Sequence, residues 1–328
     1  MSTPELAASP DAASARPATV SGRGFLLVVL AALCWGTSGF SGRIVADRAG
    51  LGPLDIAWHR MAIGAVVLLA GFALTRRRRS APPDVNRGTA VRLALVGSGL
   101  AAYQFAYFAA VATAGVSIAT LVALGLAPLL IAVGAALLGH GRPDRATLVA
   151  LGVALVGLVL LVGISAGADT GTTVVLGALM AVGSALGYAV VTLAGAGVPA
   201  GIPVTLAGFA GGALLLTPVA LVVGLRFTTE PVSLAVLLYL GLVPSALAYA
   251  MFFTGLRTVP GAVASIVTLL EPLTATALAT AFLGERLEPA ALAGGLLVLA
   301  AVAGLYLRRM GDSNSRGVAP NPLSKRAP

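Results

Sequence analysis

The chain has 328 residues, of which 58% are hydrophobic and only 10% charged, and its mean hydropathy is +0.97. Soluble domains carry about 25% charged residues, so a soluble globular protein is excluded and an integral membrane protein is indicated. The net charge of +9 lies on arginines in short loops and tails rather than on a basic domain. That distribution argues against a nucleic-acid partner and matches the way orientation in a lipid bilayer is encoded. A single cysteine, Cys34, excludes an internal disulfide framework and a cysteine-based zinc site.

Residues 1–23 are rich in Ala, Ser, Pro and Thr and read as a disordered tail. The apolar run from Gly24 to about Val45 is too long for the core of a cleaved signal, and Glu5 and Asp11 precede it, so it reads as a retained first span. It carries Cys34–Trp35–Gly36–Thr37–Ser38. Trp35 there is either a pocket wall or a packing residue beside small neighbours that allow close helix approach. Nine further spans follow at about 54–74, 89–113, 115–139, 145–166, 174–194, 202–223, 232–254, 260–283 and 288–307, and residues 308–328 form a basic tail.

Span two holds Trp58, His59 and Arg60 after Asp55. Arg60 suits bidentate pairing with a solute carboxylate, and histidine ordinarily titrates near neutral pH. The alternative is that Arg60 snorkels to the interface and Trp58 joins an aromatic belt. In span three, Tyr103 and Tyr107 are four apart and share a helix face, with Gln104 beside them. Tyr188 in span six and Tyr249 in span eight add hydroxyls on apolar rings. Each alone is equally a packing residue; together they suit a cavity for an amphipathic small-molecule solute.

Span nine contains Leu270–Glu271–Pro272 near its middle. A charge at that depth costs at least about 2.5 kcal/mol on insertion scales and faces protein or water rather than lipid. Proline removes a backbone hydrogen bond, a break tolerated where it is packed in protein or lines a cavity. Glu271 reads as one wall of a permeation pathway, holding a cationic group or a proton, which admits proton coupling; the alternative is a static interhelical hydrogen bond.

Shifting the chain by 144 residues superposes spans three and four on eight and nine, matching Gly97 to Gly241, Phe108 to Phe252, Leu126 to Leu270 and Pro128 to Pro272. Proline is rare inside helices, which gives the last match weight. Ten spans then divide as 24–166 and 174–307, two five-helix repeats that enter the membrane from opposite sides, with broken helices expected at Pro128 and Pro272. Inverted repeats with matching helix breaks point to a transporter with its solute bound between the halves. Glu271 aligns with Ala127, so the site is chemically one-sided. With the N-terminus inside, sixteen Arg and Lys residues fall on the cytoplasmic side, including the run Arg76–Arg79, against four outside: Arg43, Arg48, Arg226 and Arg286. Both termini are therefore expected in the cytoplasm and the protein in the cell membrane.

The ten spans, Trp35–Gly36, Arg60, and the segment from Leu270–Glu271–Pro272 to Leu283–Gly284–Glu285–Arg286–Leu287 resemble the EamA branch of the drug/metabolite transporter superfamily. The first-half turn, Gly139–His140–Gly141–Arg142, lacks the glutamate that the family often carries there. The resemblance implies a ten-helix bundle that exports amino acids or other small metabolites by alternating access. Efflux of drugs or other metabolites and nucleotide-sugar transport are the competing solute classes. A membrane-embedded enzyme acting on a lipid carrier would need clustered acids or a metal site, and neither motif is present, nor is a phosphate-binding loop. The expectation is a transporter, not an enzyme, without cofactor or metal.

Overall fold

A computed structural model describes residues 22–76, 85–139, 141–162, 172–283 and 289–317. Most of both tails, Arg77–Arg79, His140 and the Gly284–Leu287 turn lie outside the described residues. The described chain is helical throughout: α1 Gly22–Ala49, α2 Pro53–Arg76, α3 Arg87–Leu137, α4 Arg145–Val162, α5 Thr172–Ala196, α6 Val204–Val223, α7 Pro231–Gly241, a π-helical segment Leu242–Leu247, α8 Ala248–Gly255, α9 Gly261–Val267, α10 Leu270–Leu283 and α11 Pro289–Gly317. Among the described residues seven stretches are long and apolar enough to cross a membrane. Three shorter apolar helices, Val122–Leu137, Arg145–Leu160 and Leu292–Arg308, accompany them. The protein is a multi-pass membrane protein.

The 51 residues of α3 would measure about 77 Å if straight, far beyond a bilayer core of about 30 Å. The Tyr107 hydroxyl, however, is 2.9 Å from Thr120 Oγ1, although 13 residues of straight helix separate their backbones by about 20 Å. Ala110, Ala119 and Ala123 also pack into one cluster with Ala181. The element therefore bends back on itself between 110 and 119, where the sequence places the junction of spans three and four.

Helix α5 lies against both arms of this bend. A Cβ at Gly187 would sit 2.8 Å from Tyr103 N and 2.9 Å from Gly99 O, so the glycine permits backbone-to-backbone contact between α5 and the first arm. The GxxxG spacing Gly183–Gly187 is thus used at its second glycine, whereas Gly183 has its nearest neighbour at 3.8 Å. On the second arm Gly134 faces Leu193 of α5. The other principal packings are α1 on α8 and α10, α2 on α6, α7 and the π segment, α6 on the first arm of α3, and α4 on α11. The main core runs through this assembly and includes Val28, Trp35, Met61, Leu100, Phe209, Phe252 and Ile266.

The two matched prolines behave differently. Pro272 follows a real interruption, since α9 ends at Val267 and α10 begins at Leu270. The expected break at Pro128 is corrected: α3 runs through it, because one lost backbone bond bends a helix without ending it when neighbours such as Ala127, Ile131 and Ala132 remain buried.

Outside the spans, Asp144 closes the N-terminus of α4, its Oδ1 accepting the Thr147 N–H at 2.8 Å. Its Oδ2 lies 2.7 Å from Arg308 of α11. Partial burial pushes this carboxyl up, but the Thr147 bonds and the Arg308 guanidinium outweigh that and hold it at about 2. Its folded value is thus depressed, so its contribution is complete above the ordinary value of 3.8 and is lost as pH falls toward about 2. Asp144→Ala is expected to destabilise the protein by about 1 kcal/mol, the worth of a helix cap, read as a lower unfolding temperature at pH 7 and little difference at pH 2. Gly187→Leu is expected to lower stability by several times that amount by prising α5 from α3, measured by thermal unfolding in detergent.

Candidate functional site

Proline at 272 has no N–H, so the Thr268 carbonyl cannot receive the usual bond from four residues on. It accepts instead from Glu271 N at 2.9 Å, while Leu269 N bonds Ile266 O at 3.1 Å. These shortened turns separate α9 from α10 and place Glu271 in the first turn of α10. A carboxylate there is favoured by the N–H groups and dipole of a helix start. Helix α1 reaches this point closely: a Cβ at Gly36 would lie 2.8 Å from the Glu271 carbonyl oxygen and would collide with Thr274. The Trp35–Gly36 pair therefore sets an indole beside the helix break while allowing α1 to touch it.

Around Glu271 stands an aromatic wall. The Trp35 ring lies 4.7 Å from Tyr249, 5.2 Å from Phe252 and 6.4 Å edge-on from Tyr188. Tyr188 lies 5.7 Å from Tyr103, and Tyr103 lies 6.5 Å from Tyr107. All four tyrosines are within the electrostatic reach of Glu271. Glu271, Tyr103 and Tyr107 are each half-buried.

Arg60 is buried, and its Nε donates to Ser245 Oγ in the π segment at 3.1 Å. Its charge reaches Glu271 and Tyr249. Ion pairs among the described residues join Arg48 to Glu230, Arg226 to Asp55 and Arg308 to Asp144; Arg60 and Glu271 do not form one. Among the described residues, four buried polar atoms lack a hydrogen-bond partner: Trp35 Nε1 and Ser38 Oγ on α1, Ser184 Oγ and the Tyr188 hydroxyl on α5. The Tyr188 hydroxyl has Thr192 and Thr268 nearby but closes a bond with neither. Each such group costs about 1–3 kcal/mol, and a set of them marks a place where a solute or water completes the bonding.

The structure thus brings together Trp35, Arg60, Tyr103, Tyr107, Tyr188, Tyr249 and Glu271. It sets His59 apart. The His59 Nδ1 donates to the Asp55 carbonyl at 2.7 Å, and its ring packs edge-on to Trp58 and Phe227. Trp58 in turn donates to Thr217 Oγ1 at 3.0 Å, and Asp55 accepts both the backbone N–H and Nε of Arg226. These contacts tie the start of α2 to α6 and to the loop before α7. Gln104 is buried about 100° around α3 from Tyr103.

Sequence reasoning missed Ser245, Ser184 and Thr268. Pro244 beside Ser245 in span eight was the available signal for the first; nothing distinguished the others. Two grooves, about 320 Å³ beside Leu126, Leu129 and Leu155 and about 560 Å³ beside Val91, Leu95 and Leu214, are lined almost wholly by apolar side chains and lie apart from Glu271. Among the described residues no three His, Cys, Asp or Glu side chains cluster as metal ligands.

The chain is 30% identical over 282 residues to a protein described as uncharacterized transporter YwfM of Bacillus subtilis, covering 84% of this chain and 93% of the relative. It is 25% identical over 288 residues to uncharacterized inner membrane transporter YicL of Salmonella typhimurium, covering 85% and 94% respectively. A crystal structure described only as that of a protein shares the fold, with a TM-score of 0.72 at 24% identity over 88% of this chain and 98% of its own. The family model of EamA-like transporters matches twice, over residues 22–163 and 174–307, and the chain belongs to the EamA-like transporter family.

Proposed function

We propose that the protein is a secondary transporter that exports small metabolites, amino-acid-like solutes foremost, across the cell membrane by alternating access. The observation that carries this reading is the pair of opposed, unjoined charges, Glu271 at a helix break and Arg60 on α2, set against the Trp35, Tyr188 and Tyr249 rings. A carboxylate takes a cationic group or a proton, a guanidinium takes a carboxylate, and the rings take an apolar side chain. A lipid-carrier enzyme or a nucleotide-sugar carrier finds no such support here.

Ten spans in two inverted five-span halves supply the mechanism. The double match of the family model supports this division. So does the packing when each helix is exchanged for its counterpart in the other half. Helix α1 packs on α8 and α10 as α5 packs on the first and second arms of α3, and α2 packs on α7 as α6 packs on the first arm. Rocking of the halves would then expose the Glu271 site to each side in turn, with both termini in the cytoplasm.

The test is efflux from proteoliposomes loaded with labelled amino acids and other small metabolites. Wild type is expected to export a subset of the panel across a range of pH, and Glu271→Gln and Arg60→Ala each to lower that export at least about tenfold, the loss of one charged hydrogen bond. Export unaffected by either substitution would reject the reading. Reporter fusions are expected to place both ends of the chain in the cytoplasm.

A further inference from the structure

Arg60 does not stand freely in the site. Its Nε is held by Ser245 Oγ, and Ser245 is wholly buried. Ser245 belongs to the π-helical segment Leu242–Leu247, which contains Pro244 and lies between the α-helical stretches α7 and α8. A π turn accommodates one residue more than an α turn, which re-aims the side chains beyond it by about 100°. Such turns recur at functional sites. Here the segment packs on α2 and aims a hydroxyl at the guanidinium.

Guanidinium has five donors in a rigid plane. With Nε occupied by Ser245, four remain, on the two terminal nitrogens. Those nitrogens form the end-on fork that matches a carboxylate in bidentate fashion. Glu271 lies within the electrostatic reach of Arg60 without pairing with it, and Tyr249 feels both charges. Two opposite charges held apart beside a tyrosine are completed together by a solute that carries both.

Resting on the transport reading above, we propose that Ser245 is the positioning residue that fixes Arg60, so that its terminal fork receives the carboxylate of a zwitterionic solute whose ammonium group meets Glu271. Ser245 then determines specificity for solutes bearing a carboxylate, although it need not touch them.

The experiment measures binding of each of the twenty labelled amino acids to the purified full chain, together with the amines left by decarboxylating those that bind. Ser245→Ala is expected to weaken amino-acid binding about tenfold, as loss of a hydrogen bond to a charged group predicts, and to leave amine binding unchanged. Ser245→Thr, which keeps the hydroxyl, restores amino-acid binding. Unchanged amine binding by Ser245→Ala also shows that the variant is folded. If Arg60→Ala weakens amino-acid binding and Ser245→Ala does not, the positioning role is overturned while the transport reading stands. Equal losses for amine and amino acid in Ser245→Ala mean a structural role and overturn it as well. Failure of wild type to bind any amino acid overturns the zwitterion assignment and the amino-acid reading together.

Discussion

A carboxylate inside an apolar span must be given partners other than lipid, and the construction of the site follows from that constraint. The interruption before Pro272 sets Glu271 at the start of α10, where the helix dipole favours negative charge. Arg60 adds an opposing charge from α2, and the chain of rings Tyr107, Tyr103, Tyr188, Trp35 and Tyr249 lies where α1 reaches the Glu271 backbone. The proline that breaks the helix is therefore part of what makes the acid tolerable.

Close packing lets these groups meet. Without hydrophobic segregation to drive helices together inside a bilayer, small residues bring backbones into van der Waals contact. Gly36 does this where α1 meets the Glu271 backbone, and Gly187 does it where α5 meets the first arm of α3. Trp35 and Tyr188 ride on those two contacts, one residue away from each glycine. The rings are positioned by their neighbours' lack of side chains. The unsatisfied Trp35 Nε1 and Tyr188 hydroxyl belong to two rings that meet edge-on across α1 and α5.

Much of this was legible because the bilayer forces long apolar runs and penalises buried charge. Those rules marked the apolar helices, seven of which are long enough to span a bilayer, the bend of α3 near residue 114, and Glu271 beside its proline. They also gathered Trp35, Arg60, Tyr103, Tyr107, Tyr188 and Tyr249 as groups worth placing together. They misjudged Pro128, because a proline reports the loss of one backbone bond and says nothing of the packing that holds a helix together across it. His59 was unreadable for another reason: its direction depends on Phe227, which lies 168 positions away in sequence. Ser245 was hidden because serine is common in spans and a π turn has no apolar period of its own.

The 144-residue offset sharpens the asymmetry that Glu271 and Ala127 first suggested. It aligns Pro244–Ser245 with Leu100–Ala101 and Tyr249 with Phe105. In the earlier segment Leu100–Ala101 is plain buried helix, whereas the later one is wound as a π turn and grips Arg60. The helix break, the acid, the π turn and the serine are all found in α7 to α10, whereas the aligned part of α3 has none of them and the arginine comes from α2. Equivalent packing with unequal chemistry is what a carrier needs if its framework is to exchange two arrangements while a solute is held in one orientation. The arginine lies in the first of the two stretches matched by the family model and the acid and serine in the second, so the charged groups of the site are drawn from both.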